Sequence, residues 1–168
     1  MFRRLFVPIL MVCAAASAAA QGTQITFGGL QQDTSLPVEV QADSLRLNQA
    51  DNSAVFSGNV LVGQGDLRLS AAEVRVEYAA EGGAIERLLA SGGVTMATPQ
   101  EAAEARDAVY AVAAGTVVLT GDVLLTQGPN AVSGQRLTVD LKAGTGVMEG
   151  RVTTIFTPQG KPGAAPAP

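Results

Sequence analysis

The sequence predicts an all-β fold, one sheet rolled from about four repeated hairpins, and three observations carry that expectation. Apolar residues recur at every second position through most of residues 37 to 158, a two-part phrase returns four times in phase, and Gly- or Asn-containing joints separate the alternating stretches. Period-two alternation marks strands with one apolar face. A recurring phrase marks a supersecondary unit that cannot bury its apolar face alone.

The chain opens with a segment outside this pattern. Arg3 and Arg4 precede the apolar run "LFVPILMVCAAA", and small residues "ASAAA" lead to Gln21. That order is expected of a secretory signal peptide, residues 1–20, removed by cleavage. Cys13 also permits a lipoprotein reading, but Val12 stands where a small residue normally precedes a lipidated cysteine. With the leader gone no cysteine remains, so the exported fold is expected to hold without disulfides. Nine basic residues then face fifteen acidic ones, a formal net charge of -6. That balance argues against nucleic acid as a partner and against a mainly electrostatic grip on anionic surfaces.

Residues 21–36 are expected to form a flexible lead-in to a domain spanning 37–158. Within the domain, "SGNVLVGQG" at 57–65 returns as "TGDVLLTQG" at 120–128. Gly58 and Gly121 are joined by Gly92 and Gly150 at spacings of 34, 29 and 29, each followed two residues later by valine: Val60, Val94, Val123 and Val152. A second element precedes each glycine, beginning at Ala42, Ala71, Ala105 and Gly134, at intervals of 16, 21, 16 and 16. Two elements kept in phase four times define a hairpin unit of about thirty residues.

Strands follow from the alternation of Val38 and Val40; Leu45 and Leu47; Val60 and Val62; Leu67 and Leu69; Val74, Val76 and Tyr78; and Leu137, Val139 and Leu141. Arg46, Arg68, Arg75, Glu77, Asp122 and Asp140 fall on the opposite, solvated face. The joints "QADNS", "GQGD", "EGGA", "AAGT", "QGPNA" and "KAGTG" supply tight turns. "SAAE" at 70–73 fits a helix capping box, but the alternation behind it predicts strand. "TPQE" at 98–101 carries the same box with Pro99 at the first helical position, and alanine-rich "EAAEARDA" favours helix. A short helix or irregular excursion is expected over 99–105, rejoining the sheet near Arg106. The tail "QGKPGAAPAP" is Pro- and Ala-rich, and residues 159–168 are expected to be disordered.

Catalytic chemistry finds little support. There is no histidine, which removes Ser-His-Asp and Cys-His systems and histidine-based zinc sites, and no phosphate-cradling loop occurs. Asp43 with Asp51, or Asp107 with Glu104, read as solvated surface charges. Neither an enzyme nor a resident metal or cofactor is expected. The interior candidates are mainly Val, Leu and Ala with seven aromatic residues in the chain, a set that can pack solid or leave a slot for an aliphatic ligand.

The strand "PVEVQADSLRLN", the phrases "AVFSGNVLVGQGDLRLSAAEVRV" and "ARDAVYAVAAGTVVLTGDVLLTQG", and the closing "RVTTIFTP" together resemble the OstA-like family over about residues 37 to 158. The resemblance implies a slightly open, twisted β-jellyroll with an apolar interior. It further implies a periplasmic protein in lipopolysaccharide transport, stacked head to tail between inner-membrane and outer-membrane partners, with lipid acyl chains held inside. Each buried methylene contributes about 0.8 kcal/mol, so several acyl chains hold a lipid without any catalytic group. Val38 and Val40 would begin one open end and "RVTTIF" would lie near the other, offering edge strands for a head-to-tail homo-oligomer. The inward residues expected to line the lipid are Val38, Val40, Leu45, Leu47, Phe56, Val60, Val62, Leu69, Val74, Val76, Met96, Tyr110, Val112, Leu119, Val123, Leu125, Leu137 and Val139. For each of them, ordinary core packing is the competing role. The rivals at this point are another member of the same transport system, a structural β-repeat protein with a filled core and no lipid, and an enzyme built on acidic residues.

Overall fold

The computed structural model describes residues 23–26, 29, 31–81 and 83–157. The expected leader with Cys13, and the tail from 159, lie outside them. Among the described residues thirteen strands form: β1 Thr23–Thr26, β2 Glu39–Gln41, β3 Ser44–Asn48, β4 Ser53–Gln64, β5 Leu67–Tyr78, β6 Ile85–Ser91, β7 Val94–Ala97, β8 Glu101–Ala105, β9 Asp107–Ala111, β10 Thr116–Gln127, β11 Asn130–Asp140, β12 Thr145–Glu149 and β13 Thr153–Ile155. All pair antiparallel in one branched sheet.

The branching has a simple cause. Each long strand is bent near its middle and contributes one half to each of two facing leaves. The first leaf contains β3, residues 53–57 of β4, 73–78 of β5, β6, β9, 116–120 of β10, 136–140 of β11, β12 and β1. The second contains β2, residues 60–64 of β4, 67–71 of β5, β7, β8, 123–127 of β10, 130–134 of β11 and β13. Alternating apolar faces put Val, Leu, Met and Ala between the leaves, in one continuous core.

The recurring glycines make the bends. Gly58, Gly92, Gly121 and Gly150 have φ of 81°, 83°, 86° and 83°, and each is followed by a second positive-φ residue, Asn59, Gly93, Asp122 or Arg151. Two successive left-handed residues break the ladder, and the pairing skips from Ser57 to Val60 and from Thr120 to Val123. The second half of the repeated phrase supplies what packs there. A Cβ on Gly92 would fall 2.7 Å from the Ala72 Cβ, and one on Gly150 would fall 2.7 Å from the Gln135 Cβ. Asp43 and Arg106 hold the same position against Gly58 and Gly121.

One expectation is overturned. Residues 101–105 form strand β8, not a helix. The cap contacts do exist, since the Glu101 amide donates to Thr98 Oγ1 at 3.3 Å and the Thr98 amide to the Glu101 carbonyl at 2.9 Å, but they close a turn between β7 and β8. Ladders to β7 and β10 on either side, with Glu101 and Ala103 turned inward, outweigh the alanine preference for helix.

Candidate functional site

Cross-strand register gathers the inward side chains into transverse rows. In the second leaf one row reads Val40, Val62, Leu69, Met96, Ala103, Leu125 and Val132. In the first leaf one runs Leu45, Phe56, Val74, Ala90, Ala108, Leu119, Leu137 and Met148, and a second runs Leu47, Ala54, Val76, Leu88, Tyr110, Val117 and Val139. Of the sequence-predicted residues, Val60, Val62, Leu69, Val74, Val76, Met96, Tyr110, Leu119, Val123, Leu125, Leu137 and Val139 are buried, and Val38, Val40, Phe56 and Val112 are half-buried against the core.

Leu45 and Leu47 depart from that pattern. They occupy the inward rows, yet they are 53 % and 70 % exposed. Among the described residues strand β3 is the last of its leaf, and the row ends there uncovered. At the opposite end Ile155 and Phe156 are 62 % and 75 % exposed. Both ends of the roll therefore carry apolar side chains beside short edge strands.

Between the ends the leaves are closed on each other. An apolar void of about 10 Å³, lined by Val62, Leu67, Leu69, Leu88, Tyr110 and Val117 among others, separates them. That is room for one small molecule the size of water, and its lining gives water little to bond. Sequence reasoning left Leu67, Leu88, Val117 and Met148 out of the lining; for Leu67 the signal was present in its period-two relation to Leu69.

Two polar side chains break the apolar rows. Gln64, 2 % exposed, accepts from the Tyr110 hydroxyl at 2.5 Å and donates to the carbonyls of Thr34 and Leu36 at 3.0 and 2.8 Å. Burial pushes the Tyr110 phenol up. Glu101, 3 % exposed, accepts from Gln127 Nε2 at 2.6 Å through Oε1, while Oε2 has no partner among the described residues. Desolvation raises its pKa, with the Gly29 amide and Gln127 pulling the other way. No three metal-ligating side chains cluster among the described residues. What this interior can do is bury apolar matter.

Residues 39–145 match the family described as LptA/(LptD N-terminal domain) LPS transport protein. The chain belongs to that family. The OstA-like resemblance in the sequence stands accordingly. The Escherichia coli K12 lipopolysaccharide export system protein LptA is 30 % identical over 141 residues, 75 % of this chain and 74 % of that protein. An uncharacterised protein of Rhizobium meliloti is 30 % identical over 158 residues, 88 % of this chain and 85 % of its own. The crystal structure of LptH from Pseudomonas aeruginosa, described as the LptA homologous periplasmic component of the lipopolysaccharide transport device, superposes with a TM-score of 0.67 at 22 % identity. It covers 76 % of this chain and 99 % of that one, and shows that the fold is the LptA-type jellyroll. The family match begins at Glu39, so β1 and residues 31–38 lie outside it.

Proposed function

We propose that this LptA-family chain is a periplasmic bridge protein that binds lipopolysaccharide and carries it from the inner to the outer membrane, supporting outer-membrane assembly. Its ligand contact is apolar: acyl chains lie between the two leaves, along rows that run from Leu45 and Leu47 at an uncovered end into the buried core. That continuity is the observation that carries the reading. Its partners are lipopolysaccharide, the inner-membrane and outer-membrane components of the transport machinery, and further copies of the chain stacked head to tail by edge-strand pairing. No catalytic group, metal or cofactor enters this role, because transfer needs only burial and release of apolar surface.

A photo-crosslinking residue at Val40 or Leu45, in the exported protein, tests it. Capture of lipopolysaccharide at both positions, and not at outward Asp140, is the expected result. Absence of capture at every inward position, beside a family member that does capture, would replace it with the second reading. That reading is a structural β-repeat protein of the cell envelope with a filled core, and the small size of the void between the leaves at Gln64 and Tyr110, about 10 Å³, favours it.

A further inference from the structure

Two leaves bent along one side must part along the other, and residues 31–38 lie over that seam. The Gln32 amide donates to the Leu141 carbonyl at 2.8 Å, and Gln31 Nε2 to the Lys142 carbonyl at 3.1 Å, which fastens the segment to the turn after β11 in the first leaf. Two residues on, the Thr34 and Leu36 carbonyls accept from Gln64 at the end of β4, in the second leaf. Leu36 also packs toward Gly65, whose added Cβ would lie 3.0 Å from Leu36 Cδ1. The segment has its own internal turn: Asp33 Oδ1 accepts from the Ser35 amide and hydroxyl at 3.0 and 2.6 Å, and the Leu36 amide donates to the Asp33 carbonyl at 3.3 Å. That turn aims the carbonyls of Thr34 and Leu36 at one side chain. Beneath it, the Tyr110 hydroxyl on β9 joins the first leaf to the same Gln64.

We propose that residues 31–38 form a latch across the open side of the roll, with Gln64 as its catch. The inference rests on the lipid-binding reading above. The void of about 10 Å³ in the core beneath Gln64 and Tyr110 is far too small for an acyl chain, so drawing one in there requires the leaves to separate, and among the described residues no β-ladder joins them along the seam. Gln64 makes the latch two-state. Closed, all three of its bonds are made; open, a nearly buried amide has two donors to satisfy from solvent or ligand. An open cleft of about 630 Å³ between the latch and the first leaf, lined by Leu36, Val38, Ile85, Val112 and Lys142 among others, leaves space into which the turn can swing.

The test compares wild type with Gln64→Leu, which keeps the shape and removes the catch, and with Asp33→Ala, which loosens the exposed turn without touching the core. Capture of hexa-acylated lipid A from detergent micelles is followed in time, alongside hydrogen exchange of amides 31–38. The expected result is capture about thirtyfold faster in Gln64→Leu, the factor given by losing both hydrogen bonds to the latch carbonyls, with a smaller gain in Asp33→Ala. Exchange at 31–38 should rise in wild type when lipid A is added. Capture at equal rates in all three chains, with 31–38 equally protected before and after lipid, would overturn the latch and leave lipid binding intact. Capture by none of them would overturn the lipid reading and the latch with it.

Discussion

The α-carbon of Gly92 sits so close to Ala72 that a Cβ there would meet the Ala72 Cβ at 2.7 Å. The same contact recurs at Gly150 with Gln135, and all four bend glycines have φ above 80°. Both facts exclude a side chain. Gly128, in the turn between β10 and β11, has a φ of 53° and nothing within 4 Å of its Cβ position. Gly92→Ala and Gly150→Ala are therefore expected to destabilise the fold by about 2 to 3 kcal/mol, combining strain and overpacking, and Gly128→Ala by about 1 kcal/mol. Urea denaturation of the three variants checks the order; equal losses would show that the bends tolerate a side chain.

The repeat was legible because its two halves touch. Phrases beginning at Ala42, Ala71, Ala105 and Gly134 keep phase with the glycines because the residue that follows each one packs against the bend. Alternation likewise identified which side chains point inward, Leu45 and Leu47 included. It could not show that they are exposed, since period two encodes a face and not a strand's distance from the sheet edge. The helix expected at 99–105 failed for a related reason: the ladders that decide β8 come from residues 94–97 and 124–127, outside any local window. The latch left no periodic signal at all, because Gln64 grips backbone carbonyls that any sequence would present.

Inward rows should separate sharply from outward positions in their response to truncation. Leu137 and Leu125 are 0 % and 2 % exposed, whereas Leu124, one residue away on the opposite face, is 39 % exposed. Leu137→Ala and Leu125→Ala should each cost about 3 kcal/mol, and Leu124→Ala less than about 1. Thermal unfolding of purified variants checks the contrast.

Head-to-tail stacking can be tested by spoiling one end at a time. Leu47 and Phe156 are largely exposed near opposite ends of the roll, so Leu47→Asp and Phe156→Asp should each leave folding stability within about 0.5 kcal/mol of wild type. Each should also abolish growth of larger assemblies in sedimentation velocity. Mixed together, the two variants bring one intact end each and should form dimers that grow no further. Unchanged assembly of either variant alone would place the interface elsewhere.

Stability against pH should carry two opposing contributions. Ser35 hydrogen bonds hold Asp33 below the usual carboxylate range, and Ser53, then Arg75, do the same for Asp51. Those contributions are present above the ordinary aspartate value and are lost as pH falls through the lowered ones. Glu101 has the other sign, because burial raises its pKa above the ordinary 4.5. Below that value it is neutral whether folded or unfolded; as pH rises through the raised value, the folded chain must hold a desolvated carboxylate and loses stability. Glu101→Gln keeps an acceptor for Gln127 and removes the charge. Its unfolding free energy should match wild type near pH 4 and exceed it by about 1 kcal/mol at pH 8. A difference that is the same at both pH values would mean that Glu101 does not titrate in the raised range, and that its cost is one of packing instead of charge.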